Sequence, residues 1–297
     1  MFVFVVFHII TSLFFSNFSS PIIENQGEIK KVWQIDGFLE KTKKIDELDL
    51  SASSTAVLDL DSDFFVFEKN SDEVRSIASI SKLMSALVFM DLDIDYNDYY
   101  KIKKEDRRLG GRDYLFFGEE VRNIDLLALS LIASDNTAVI ALISSAGLSE
   151  SDFVAKMNEK AKELKLYKTY FEDPTGLSNS NVSTAKEVAI IANKALENDL
   201  IADLTENYEY SFETRNGRIK KINSTNELLL GFRDIDIDGQ IISGKTGYNI
   251  LAGYCLALKF ADKNGKEFIS VVLNSDSIKD RFLDSEKIIG AITEIYK

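Results

Sequence analysis

The amino-acid sequence predicts an α/β fold whose central sheet takes strands from both ends of the chain. Three observations predict it. Two short β-rich runs, Ala56–Leu60 and Phe64–Glu68, stand ahead of the helical region. Segments with apolar residues at helical spacing fill the middle, and the C-terminal third is again β-rich. Strands at both ends with helices between them form a layered sandwich. With 297 residues, 45% hydrophobic and 28% charged, the chain has the bulk and composition for a sizeable core.

Taken in order, residues 2–15, FVFVVFHIITSLFF, form an apolar run shorter than the roughly 20 residues of a membrane span and as long as a signal-peptide core. No Lys or Arg precedes it, and the SNFSS after it is a poor cleavage site. Residues 1–20 are therefore expected to be a signal peptide or a retained N-terminal membrane anchor, with a buried element of the domain as the alternative. Residues 21–50 are polar and read as a linker; residues 51–297 read as the folded domain.

The Asp61-Ser62-Asp63 turn joins the first two β-rich runs into a hairpin. RSIASISKLMSALVF then carries Ile80, Leu83, Met84, Leu87 and Val88 on one helical face. The polar stretch beginning DLDIDYNDYY reads as loops with brief strands. NIDLLALSLIASDNTAVIALISSAG reads as two apolar helices broken at Ser134-Asp135-Asn136. Further helices follow with Ser149 or Ser151, and then Ser183 or Thr184, as N-caps. YEYSFETRNGRIKKI, QIISGKTGYN, AGYCLALKF and EFISVVLNS read as strands, closed by a helix near Ser285–Tyr296.

Composition excludes several functions. The net charge of −13 opposes a nucleic-acid partner and charge-driven binding to an anionic membrane. The single cysteine, Cys255, lies in a strand-like run and reads as a buried core thiol, so no internal disulfide or cysteine zinc site can form. The single histidine, His8, lies in the N-terminal apolar run. A Ser-His-Asp triad, a histidine zinc site and a Cys-His dyad are thereby excluded from the folded body. A serine hydrolase built on this chain needs another general base.

Lys82 is the candidate. It opposes the helix dipole near the start of its helix, beside a group of serines. In Ser79-Ile80-Ser81-Lys82 the hydroxyl and the amine share one helical face. Such a lysine serves as a base only when neutral, which requires desolvation or a neighbouring cation. S-x-x-K alone says little, since Ser183-Thr184-Ala185-Lys186 repeats it where a helix cap and a solvated lysine suffice. S-x-N likewise occurs at Ser134-Asp135-Asn136 and at Ser224-Thr225-Asn226. Order and placement carry the reading: Ser79/Lys82 opens a helix, Ser134/Asn136 breaks a helical pair, and Lys245-Thr246-Gly247 ends an apolar strand. The three elements together are those of penicillin-binding proteins and class A β-lactamases. Ser79 is then the nucleophile and Lys82 its base, Ser134 relays a proton to the leaving amine, and Asn136 donates to the substrate or contacts Lys82. Lys245 keeps Lys82 deprotonated and attracts an anion, Thr246 offers a hydroxyl to a carboxylate, and Gly247 lets the substrate lie flat on the strand.

From about Ser54 to the C-terminus the sequence resembles the low-molecular-mass penicillin-binding proteins, the serine D-alanyl-D-alanine peptidases. IASISKLMSALV, GEEVRNIDLLALSLIASDNTA, FEDPTGLSNSNVSTAKEVAIIA, NSTNELL and GKTGYNILAGYCLAL carry the resemblance. It implies an α/β (α+β) fold of the β-lactamase/transpeptidase type: an antiparallel sheet flanked by helices, with a helical subdomain. It implies acyl transfer on peptidoglycan stem peptides or cross-links, an oxyanion hole from the N–H groups of Ser79 and Tyr248, and no cofactor or metal. β-Lactam antibiotics would be covalent inhibitors, and the protein would work outside the cytoplasm, periplasmic or cell-wall associated.

Two departures bear on this. Asn249 stands where the family usually has Thr or Ser, which touches recognition of the substrate carboxylate. The chain also stops just after the last catalytic-domain helix, which together with DPTGL favours an endopeptidase-like member over a carboxypeptidase. Two other functions compete. A class A β-lactamase needs an E-x-x-L-N glutamate, absent between Asn136 and Lys245; Glu172 sits in the peptidase pattern instead. A non-catalytic peptidoglycan binder of the same fold would fit Asn249, but not the intact Ser79, Lys82, Ser134, Asn136 and Lys245.

Overall fold

The computed structural model describes residues 47–231 and 239–296. The expected signal segment and the expected linker up to residue 46 lie outside the described residues. Strands β1 (Ser54–Asp59) and β2 (Phe64–Lys69) form the hairpin the turn predicts, with Asp59 Oδ1 accepting the Asp61 N–H at 3.0 Å. The C-terminal strands are β9 (Gly239–Asn249), β10 (Gly253–Asp262) and β11 (Glu267–Ser275). All five join one antiparallel sheet in the order β2-β1-β11-β10-β9. Both ends of the domain meet at its centre, where Ser54 pairs with Leu273 and Asp59 with Phe268.

Apolar residues occupy both faces of this sheet, which accounts for the near-continuous hydrophobic runs in place of clean alternation. Ala56, Leu58, Cys255, Ala257, Ile269, Val271 and Leu273 face one buried cluster; Val57, Leu256, Leu258, Phe260, Phe268 and Val272 face the other. The first cluster takes in helices α1 (Ser81–Met90), α2 (Asn123–Leu131), α3 (Asn136–Ser145), α4 (Glu150–Glu163), α5 (Ala185–Leu196) and α6 (Asp199–Thr205). The second takes in α7 (Ile278–Ile295) through Phe282, Ile288, Ile289 and Ile292. Each such side chain contributes about 1.5–3 kcal/mol when fully buried. Short pairs complete the fold: β3 (Arg75–Ser76) with β6 (Val182–Ser183), β4 (Tyr99–Lys101) with β5 (Glu120–Arg122), and β7 (Glu209–Glu213) with β8 (Ile219–Asn223).

Two boundaries differ from the expectation. The last helix begins at Ile278, well before Ser285, with Ser277 as its cap at 3.1 Å from the Asp280 N–H. Its buried face carries Arg281, Asp284, Ser285 and Glu286, so the apolar stripe is interrupted in its first turns. The packed body also begins before residue 51: Leu50 is 6% exposed, and Lys287 Nζ donates to the Asp49 carbonyl at 2.6 Å. Asp284 fastens this entry segment, accepting from the Ser51 and Ala52 N–H groups at 3.0 and 2.8 Å and from the Ser51 and Ser275 hydroxyls, each at 2.8 Å. Of the alternative caps, Ser149 and Thr184 are used, each accepting an N–H at 3.1 Å. No single helix among the described residues is long and apolar enough to cross a membrane.

Candidate active site

Ser79 lies in the short 3-10 turn Ala78–Ile80 that runs straight into α1, and Lys82 is the second residue of that helix. Ala78, immediately before the serine, is left-handed at φ 46°, which costs an alanine about 1–2 kcal/mol. Lys82 is 1% exposed, with Nζ 3.0 Å from Ser79 Oγ, 2.7 Å from Asn136 Oδ1 and 2.6 Å from the Thr175 carbonyl. Burial pushes its amine down from 10.5 to about 7, although Asp173 and Asp135 pull the other way. A neutral Lys82 has two N–H groups for Asn136 and Thr175 and a lone pair for the Ser79 proton. The arrangement is satisfied before and after proton transfer.

The break between α2 and α3 holds the second pair. Ser134 is left-handed at φ 60°, and Asp135 caps α3 by accepting the Ala138 N–H at 2.7 Å. Burial raises the Asp135 carboxyl, partly offset by the helix-cap hydrogen bond and by Lys82. Asn136 spans the cleft floor: its Oδ1 meets Lys82, while its Nδ2 donates to the Gly110 carbonyl at 3.1 Å.

The third element is the edge strand β9. Lys245, 1% exposed, donates to Ser134 Oγ at 2.8 Å and to the Thr246 carbonyl at 3.0 Å. Burial, Lys82 and Arg281 together hold its amine well below the ordinary lysine value. Gly247 lies where a Cβ would stand 2.8 Å from the Ile77 carbonyl and 3.2 Å from the Ile80 nitrogen. The missing side chain makes room for the Ser79 turn. That close approach also sets Tyr248 beside the turn, 53% exposed and stacked on Tyr254 with ring centroids 4.4 Å apart.

Asn249 caps the turn that follows β9. Its Oδ1 accepts from the Leu251 and Ala252 N–H groups at 3.1 and 2.7 Å, and its Nδ2 lies 3.5 Å from Ser76 Oγ. The amide does the work of a turn cap.

Sequence reasoning missed the support of this site. Asp173 accepts from the N–H groups of Thr175, Gly176 and Ser178, which fixes the Thr175 carbonyl under Lys82. Ser85 Oγ donates to the Pro174 carbonyl at 2.6 Å, tying the same segment to α1. Asn181, fully buried, donates to Ser81 Oγ at 2.9 Å, and Ser81 donates to the Ala78 carbonyl at 2.7 Å. Gly176, at φ 86°, lies so close that a Cβ would fall 2.1 Å from the Ala78 oxygen. The quoted DPTGL run was the available signal, but nothing local says which carbonyl meets the lysine. Arg281 was also missed; it is 7% exposed, its Nε has no hydrogen-bond partner among the described residues, and burial lowers its guanidinium to about 10.

The repeated motifs separate cleanly. Lys186 pairs with Glu68 at 2.6 Å and Asp72 at 3.0 Å, and Ser183 shares a hydrogen bond with Thr169, so the second S-x-x-K builds no site. The second S-x-N does approach one, because Thr225 Oγ1 lies 2.6 Å from Thr246 Oγ1.

Comparison with known proteins agrees with this constellation. Residues 40–277 match the family model described as D-alanyl-D-alanine carboxypeptidase. The chain is 34% identical over 254 residues to the D-alanyl-D-alanine carboxypeptidase DacF of Bacillus subtilis, covering 83% of this chain and 63% of that protein. It is 30% identical over 243 residues to a D-alanyl-D-alanine endopeptidase of Escherichia coli, covering 81% of this chain and 76% of that one. Among solved structures, a Streptomyces DD-transpeptidase superposes with a TM-score of 0.75 at 26% identity, covering 82% of this chain and 97% of that one. An ampicillin-bound penicillin-binding protein of Listeria monocytogenes gives 0.69 at 28%, covering 82% of this chain and 98% of that one. By the residues that meet around Ser79 and by these likenesses, the chain belongs to the D-alanyl-D-alanine carboxypeptidase family.

Proposed function

We propose that this protein is a penicillin-binding serine peptidase that cleaves D-Ala-D-Ala peptides, or the cross-links made from them, in peptidoglycan. The observation that carries the proposal is the buried Lys82 amine, lowered to about 7, at 3.0 Å from the Ser79 hydroxyl. Lys82 takes the Ser79 proton as Oγ attacks the scissile carbonyl. The oxyanion sits between the backbone N–H groups of Ser79 and Tyr248, at the positive end of α1. Ser134, hydrogen-bonded to Lys245, hands a proton to the departing amine, and water then releases the acyl group from Ser79.

The Arg281 guanidinium, near enough to Lys245 to lower its amine, adds positive charge behind the strand, which suits a substrate that ends in a carboxylate. Thr246 and Thr225 offer paired hydroxyls at the strand. Such chemistry belongs outside the cytoplasm, where peptidoglycan lies, and residues 1–20 fit an export signal or anchor. Residues 51–297 would be the catalytic domain. β-Lactams would acylate Ser79 in place of the peptide.

The test is fluorescent penicillin labelling of the full chain and of Ser79→Ala, followed by intact mass. A long-lived adduct confined to Ser79 is expected. Hydrolysed penicillin without an adduct would make the protein a β-lactamase instead. Purified muropeptides then decide between trimmed stems and opened cross-links.

A further inference from the structure

We propose that the protein carries a second, non-catalytic binding site, a basic and aromatic pocket that holds a carboxylate-bearing strand of peptidoglycan. The proposal rests on the function proposed above for its choice of ligand. The pocket has a volume of about 420 Å³ and lies between Lys103–Arg107 on one side and Leu115–Phe117 on the other. That size is in the range of small-ligand sites. Thr137 also lines it, and its hydroxyl accepts the Arg108 N–H at 3.1 Å. The residue before it, Asn136, holds the Gly110 carbonyl in the candidate active site. One short loop thus has the cleft on one side and the pocket on the other.

Its chemistry is distinctive. Phe116 and Phe117 are 54% and 68% exposed, unusual for adjacent aromatics with no catalytic duty. Lys104 Nζ lies 5.3 Å from the Phe117 ring centre, and Lys220 Nζ lies 4.7 Å from that of Phe116. Lys103 and Lys104 have no carboxylate partner among the described residues, whereas Arg107 pairs with Asp113 at 2.9 Å. On a chain of net charge −13 this is a local excess of cations beside exposed ring faces. Sugar rings stack on such faces through their C–H surfaces, and carboxylates of stem peptides meet the ammonium groups.

The walls are built, not incidental. Asp106, 1% exposed, accepts from the Lys103 N–H at 2.7 Å, the Ser144 hydroxyl at 3.0 Å and the Tyr100 hydroxyl at 3.2 Å. This bolts the cationic turn to α3 and β4. Glu119, 2% exposed, accepts the Phe116 N–H at 3.0 Å and pairs with Lys220, which fixes the aromatic wall. Ile102 links the two walls, with its N–H on Glu119 and its carbonyl on Gly118.

The experiment is calorimetric titration of the full chain, first acylated with penicillin, with a purified disaccharide–peptide muropeptide. The acylated protein is expected to bind it. Lys104→Glu/Phe117→Ser should bind about tenfold more weakly, the loss expected for a charge-assisted contact, with unchanged penicillin acylation and melting temperature. Amidating the peptide carboxylates should weaken binding to the unsubstituted protein in the same way. Equal binding by the variant, or none by the acylated protein, would overturn the proposal. If no adduct forms on Ser79, the function above fails, and the same titration on unmodified protein and variant still decides the pocket.

Discussion

The Thr175 carbonyl oxygen lies 2.6 Å from Lys82 Nζ, closer than either side-chain partner of that amine. A main-chain oxygen cannot change charge or rotamer, so the base has one fixed acceptor throughout the proton transfer. Asp173 holds that oxygen in place from the far side of its turn.

Acylation should depend on the neutral form of Lys82. With its amine at about 7, the rate of penicillin acylation is expected to rise through neutrality and to fall about tenfold per unit below it. Lys82→Met should slow acylation about 100- to 10,000-fold, the usual worth of general-base catalysis. Stopped-flow quenching across the pH range checks both. The same shift affects stability: between about 7 and 10.5 the unfolded chain keeps a proton that the folded chain has lost. Stability from this group therefore grows as pH rises through that window.

Gly176→Ala tests the contact behind the serine. An added Cβ would strike the Ala78 carbonyl at 2.1 Å, on a backbone at φ 86° that alanine disfavours. A loss of about 2–4 kcal/mol is expected from the two effects. Urea unfolding measures it. Acylation of the surviving folded fraction should fall further, because Ala78 carries the strained approach to Ser79.

Asn249→Ala should separate turn capping from substrate binding. The two N–H groups that Asn249 accepts would turn to water, costing about 1 kcal/mol in thermal unfolding. Acylation by penicillin should change less than about threefold, within the tolerance of a residue that does not touch the reacting atoms. A large loss of acylation at unchanged stability would return Asn249 to the substrate.

Asp284→Ala should release the entry segment from α7. Four donors from Ser51, Ala52 and Ser275 lose their acceptor, two of them fully buried. A loss of about 3 kcal/mol is expected for breaking such a network. Chemical denaturation would read it, and Asp284→Asn should recover part of the loss.

The sheet, the hairpin and the helices were legible because their apolar periodicities survive burial on one or two faces. Ser79, Lys82, Ser134, Asn136 and Lys245 were legible as pieces whose order along the chain matched a known trio, and the fold brings all five together. What stayed hidden depends on contacts between distant residues. Gly247 answers to Ile77 and Ile80, and Thr175 serves Lys82 through its carbonyl, which any residue type possesses. The capping of its own turn by Asn249 likewise rests on contacts that spacing does not show. The start of α7 was obscured by the polar side chains it buries, since burial of Arg281, Asp284 and Glu286 cannot be read from spacing.

The pairing of β1 with β11 at the middle of the sheet has a consequence for the chain as it is made. During synthesis β1 emerges first, and its neighbour on the β11 side is translated only near the end. Until then the nascent chain has only a hairpin of β1 and β2 where the five-stranded sheet will be. Closing so distant a pair carries a loop entropy that local contacts do not, and slows folding relative to a chain of local contacts. The sheet on which both core clusters rest can therefore be completed only once the last strands have been made.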